Sequence, residues 1–131
     1  MLTRVEVQER LGVWAVWLSA RELCGSGYPR CNPIARQAGR SASTEWVPVD
    51  AVVAEHTHRA VMRLRAEDVG MWLVVMCRWV GDPDVRQSRC RPMVWAEVAR
   101  RMQRDESTCR ALLMRAEAVR LAELLGRPAG W

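Results

Sequence analysis

"WAEVARRMQRDESTCRALLMRAEAVRL", residues 95–121, reads as two short helices with a break between them. In the first, Trp95, Val98, Ala99 and Met102 recur at i, i+3, i+4 and i+7, which is one apolar side of a helix. The small Ala99 suits close approach of a second helix. The polar run "QRDES" interrupts the pattern. The second helix starts from a cap-like Ser107-Thr108 and turns Cys109, Leu112, Leu113 and Ala116 inward. Its pattern stops at Gly126. Two short helices, a small residue in the first and a tight connection predict a helix-turn-helix over residues 92–126.

That motif explains why the second helix carries arginine at its exposed beginning. In such a unit the second helix enters the DNA major groove and points its first turns at base edges. Thr108, Arg110, Ala111, Met114 and Arg115 are the candidate base-reading residues. Arginine reaches guanine or phosphate, and a methionine can touch the thymine methyl. Arg100, Arg101, Arg104 and Ser107 are the candidate contacts to the DNA backbone, which position a protein without reading sequence. Backbone amides at Ser107 and Thr108 would offer a phosphate the positive helix end.

The rest of the chain extends this all-helical pattern to about five helices. Val7, Leu11, Trp14 and Leu18 form one stripe of a first helix from about residue 5 to 23, ended by Gly25. Residues 25–49 are rich in Gly, Pro, Ser and Arg and read as a basic loop. Asp50 is the expected N-cap of a second helix, with Val53, His56 or Thr57, Ala60 and Leu64 inside. Glu67-Asp68 opens a third helix, "VGMWLVVMCRWV", apolar nearly all round and therefore expected at the centre. Pro92 suits the first turn of the fourth. The sequence holds no repeat and no alternating strand pattern, so it predicts one all-α domain over residues 1–131.

Composition agrees with a single domain. The chain has 131 residues, half of them apolar, which is enough for one buried core. Its formal charge is +5 and every basic residue except histidine is arginine, which is compatible with a polyanionic partner. The charged start "MLTRVEVQER" is unlike a signal peptide, and no apolar run is long enough to span a bilayer. These features predict a cytoplasmic protein, off the membrane, with reduced thiols.

Other residue groups read as structural. Trp14, Trp17, Trp72, Trp79 and Trp95 fall on apolar helix faces and are expected in the core; Tyr28 and Trp46, in the loop, are better placed to stack on a base. His56, His58, Cys24 and Cys31 could together ligate zinc, but the gap between the cysteines is atypical, so no metal or other cofactor is expected. Cys77 and Cys109 read as small core residues. Glu97 and Glu117 are assigned to helix surfaces. No nucleophile elbow, phosphate loop or zinc-protease motif occurs, so no enzyme is expected.

Two resemblances sharpen the expectation. Glu97-Val98-Ala99 followed by "TCRALLMRA" from Thr108 resembles the region-four helix-turn-helix of bacterial sigma factors. Gln103 and Arg104 stand where that motif carries a glycine and an apolar residue. "VQERLGVWAVW" resembles the opening helix of the phage late-gene antitermination protein Q family of the phage 21 type, matching at Val7, Glu9, Arg10, Gly12, Trp14 and Ala15. A basic loop, an aspartate-started helix, an aromatic apolar helix, and a sigma-like motif ending in Ala116-Glu117 follow in the same order. The family resemblance implies a phage or prophage factor that binds DNA at a late promoter and joins RNA polymerase in the bacterial host. It would narrow the RNA exit channel so that terminator hairpins do not form. Arg30, Arg36 and Arg40 would then contact polymerase or nascent RNA. The chief rival reading is a free-standing helix-turn-helix regulator. A third is a structural protein whose helical pair serves self-association.

Overall fold

A computed structural model describes residues 2–23, 43–86 and 91–127, with side chains described from 2–21, 51–86 and 91–127. These residues are helical, with no strand among them, as the apolar periodicities predict. Five helical rods account for them: α1 (Arg4–Leu23), α2 (Ser43–Glu67), α3 (Val69–Trp79), α4 (Trp95–Met102) and α5. The last is a continuous rod of three pieces: an α-helix at Glu106–Arg115, a wider π-helical stretch at Ala116–Leu121 and a final α-turn at Ala122–Leu125.

The stripe read for α1 is the stripe it buries, with Val7, Leu11 and Trp14 fully inside and Leu18 nearly so. It packs most extensively on α2, which turns Thr57, Ala60, Val61 and Leu64 inward. The buried Thr57 hydroxyl donates to the Val53 carbonyl one turn back, at 2.8 Å, so no polar hydrogen is left stranded. α3 contributes Met71, Val74, Val75, Met76 and Cys77 to the core and touches every other rod, the central place its composition predicts. Asp68 caps it by accepting the Met71 N–H at 3.1 Å. Its other end closes where the Val80 and Gly81 amides both donate to the Met76 carbonyl; Gly81 has φ 131°, a region that only glycine enters without strain.

Three boundaries differ from the sequence reading. The rod α2 begins at Ser43, so residues 43–49 are helical and Asp50 lies inside the helix rather than capping it. The chain continues in helical conformation through Pro48. Pro92 lies ahead of α4: Met93 is pinned first, its amide donating to the Cys77 carbonyl at 2.9 Å, and the helix starts at Trp95. Glu97 accepts the Val94 N–H at 3.2 Å there. α5 begins at Glu106 with Asp105 as N-cap, so Ser107 and Thr108 sit in its first turn instead of before it. Trp14 alone among the tryptophans expected in the core is fully enclosed; Trp17, Trp72, Trp79 and Trp95 are half-buried at the core margin.

Glu117, expected on a helix surface, is completely buried. Its Oε1 accepts from Arg4 Nε at 3.0 Å and Gln8 Nε2 at 3.1 Å, and its Oε2 accepts from Trp79 Nε1 at 2.8 Å. The carboxylate thereby ties α5 to α1 and α3 at one point. Burial of a charge is tolerable only where donors replace water, and three are supplied. Arg120 pairs with Glu67 and so fastens α5 to the end of α2.

Candidate nucleic-acid interface

α4 and α5 pack against each other across a turn whose backbone is fully specified. The Gln103 amide donates to the Arg100 carbonyl at 3.2 Å, and the Arg104 amide reaches back to the Ala99 carbonyl at 3.1 Å. Gln103 itself is left-handed, at φ 56° and ψ 42°. This is the Schellman arrangement, in which a left-handed residue and paired return hydrogen bonds end a helix abruptly. Glycine is its usual occupant, and Gln103 is the residue that stands where the sigma-like motif has glycine.

Asp105 then restarts the helix. Its backbone is extended, its carbonyl accepts the Cys109 N–H at 3.1 Å, and its carboxylate accepts both the Ser107 and Thr108 hydroxyls. Those two hydroxyls hold the Asp105 carboxyl below its ordinary range, Ser107 contributing most. The arrangement bears on two expected contacts. Ser107 and Thr108 already use their hydroxyl hydrogens within the protein. Asp105 and Glu106 also place negative charge at the helix start, where a phosphate was expected, and like charges oppose such a seat.

The helix divides cleanly into two sides after that turn. Cys109, Leu113 and Ala116 are buried, while Thr108, Arg110, Ala111, Met114 and Arg115 are exposed. Met114 keeps half its surface in solvent. All five residues expected to read bases therefore share the open side of one helix.

Their arginines differ in freedom. Arg110 lies over the Trp95 ring with its guanidinium carbon 4.9 Å from the centroid, and it sits 3.6 Å from Glu106. Arg78 approaches the same indole at 4.9 Å. Arg115 has no ion pair or hydrogen bond among the described residues. Arg100 and Arg104 are exposed and likewise lack a carboxylate partner among them. Arg101 is committed elsewhere: its Nε donates to the largely buried Asp82 at 2.9 Å and its terminal nitrogen to Asp84. Together those pairs fasten α4 to the turn after α3. Residues 91–115 carry six arginines against three carboxylates, so the pair of helices is basic as a unit.

Sequence reasoning missed the Asp82–Arg101 pair and the stacking of Arg110 on Trp95. Neither has a local spacing to betray it, since the partners lie 19 and 15 residues apart and meet only through packing. Arg30, Arg36, Arg40 and Tyr28 lie outside the described residues, as do Cys24 and Cys31 of the suggested zinc set. His58 accepts the Trp14 indole N–H through Nδ1 at 3.1 Å, and His56 Nε2 lies 3.3 Å from the Leu125 carbonyl. No group of three metal-ligating side chains occurs among the described residues. Cys77 is buried and its thiol is pushed up to about 12, chiefly by burial, so it is no nucleophile. No described helix is long and apolar enough to cross a membrane.

The fold and this surface define a small all-helical protein with an arginine-bearing pair of helices at its carboxyl end. Comparison with known protein families, curated proteins and solved structures returns no match.

Proposed function

We propose that this protein binds double-stranded DNA through α4 and α5 used as a helix-turn-helix, and acts as a Q-type transcription antitermination factor on RNA polymerase. One observation carries the DNA-binding part: the five residues read as base-contacting share the exposed side of α5, opposite a buried side. The Schellman turn supports it, because an abrupt break frees the start of α5 from the line of α4. In this reading Arg110 and Arg115 reach base edges, while Arg100 and Arg104 meet phosphates. Arg101 belongs to the scaffold that holds α4. The antitermination part rests on the resemblance of the opening helix and on the order of elements. On that reading Arg30, Arg36 and Arg40 contact polymerase or nascent RNA. The mechanism is steric and calls for no catalytic group.

Single-round transcription through a terminator, from the phage late promoter that the protein serves, tests the whole proposal. Readthrough should rise when the protein is added; unchanged readthrough on that template would refute antitermination. Site-specific DNA binding at fixed salt tests the narrower part. Arg115→Ala should weaken it by about tenfold, the loss expected of one arginine–guanine contact. Unchanged affinity would mean that the reading side is misplaced. Readthrough lost with DNA binding intact would favour a free-standing helix-turn-helix regulator.

A further inference from the structure

A cavity of about 390 Å³ lies where α1, α2 and α3 meet, remote in sequence from α4 and α5, which supply none of its walls. Trp14, Trp17, His58 and Trp72 form much of its lining, with Arg21 and Arg65 beside them and aliphatic or thioether side chains filling the remainder. The volume lies within the range of small-molecule sites.

The chemistry of the lining is one-sided. It contains two guanidinium groups and no carboxylate. Neither Arg21 nor Arg65 has an ion-pair partner among the described residues. Each is held instead over an indole, Arg21 4.6 Å from the centre of Trp17 and Arg65 4.9 Å from that of Trp72. Stacking orients a guanidinium but leaves its in-plane N–H groups available. His58 adds a further donor. Its Nδ1 accepts from Trp14, so the neutral ring carries its hydrogen on Nε2. Burial, and secondarily Arg21, lowers the His58 pKa and keeps that ring neutral. The walls therefore present aromatic surface, positive charge and unmatched donors. What fits them is flat, negatively charged and rich in acceptors.

We propose that this cavity binds a small planar anion: an aromatic ring that carries a carboxylate or a phosphate. The ring packs among the tryptophans, and the anionic group takes the Arg21 and Arg65 N–H donors. The site is independent of the DNA-binding reading, because no residue is shared.

Isothermal titration of the full-length protein tests it, with tryptophan fluorescence as a second readout. The probes are adenosine monophosphate and indole-3-carboxylate as the two ring anions, adenosine as a ring without charge and inorganic phosphate as charge without a ring. At least one ring anion should bind saturably, and adenosine and phosphate should each bind at least about tenfold more weakly. Which of the two binds better identifies phosphate or carboxylate as the natural group. Arg21→Met and Arg65→Met should each weaken the preferred probe by about tenfold. Circular dichroism verifies that each variant is folded. The proposal is overturned if neither ring anion saturates at millimolar concentration, or if both folded arginine variants bind the probe as tightly as the parent.

Discussion

Removing the Glu117 carboxylate should be among the costliest single changes in the molecule. Its side chain has no exposed surface, whereas its cationic partner Arg4 keeps 40% of its own. In Glu117→Ala, Trp79 and Gln8 lose their acceptor in a partly buried setting, at about 1–3 kcal/mol for each stranded donor. The one methylene lost, Cγ, adds roughly 0.8 kcal/mol in lost burial. Arg4 recovers some of its loss by turning to water. The sum is about 4 kcal/mol, within the range for breaking a buried pair from its enclosed side. Glu117→Gln preserves the shape and part of the acceptor set and should cost about 1–2 kcal/mol. Arg4→Met should cost about 2–4 kcal/mol, because it leaves the enclosed Glu117 carboxylate without its counter-charge. Urea unfolding followed by circular dichroism measures all three. The reasoning fails if either Glu117→Ala or Arg4→Met costs less than about 1 kcal/mol.

Gln103→Gly should stabilise the fold by about 0.5 kcal/mol, since relief of about 1 kcal/mol at the left-handed position outweighs the added freedom of the unfolded chain. Gln103→Val should destabilise it by more than about 1 kcal/mol; urea midpoints that rank the three residues otherwise would contradict the turn assignment. His58 makes stability depend on pH with a definite sign. Its folded pKa is below its unfolded value of 6.5, so its contribution is complete above that value and is lost as pH falls toward the folded pKa. The His58→Gln variant, which keeps an acceptor for Trp14, should show a flatter profile in that window. An identical slope in parent and variant would assign the dependence to other groups.

Much of the fold was legible because its helices bury regular stripes. Val7, Leu11, Trp14 and Leu18 announce α1 by spacing alone, and Thr57, Ala60 and Leu64 do the same for α2. The break at Gln103 was legible through its polar neighbours, and the open side of α5 through the gaps between Cys109, Leu113 and Ala116. The start of α2 was not, because Pro48 and Asp50 are strong local signals that continued helix overrides. The start of α4 was set by a hydrogen bond from Met93 to Cys77, a contact between segments that no local window contains. Glu117 was misplaced for a related reason. A glutamate in a helical pattern ordinarily faces water, and its three donors come from Arg4, Gln8 and Trp79, far along the chain. The cavity was invisible because it depends on how three rods leave a space between them.

The wide turn at Ala116–Leu121 sets how the two ends of α5 are phased. The enclosed positions Cys109, Leu113, Glu117, Leu121 and Leu125 recur every fourth residue, and in a regular α-helix each such step overshoots by roughly 40°. A looser winding takes back part of that overshoot, so the distal leucines stay beneath the body while the arginines upstream stay outside it. The rod thus behaves as a coupling with a fixed offset. A chain one residue shorter in this stretch would swing its upstream half by roughly 100° relative to its anchor, and would present a different set of side chains to whatever it meets.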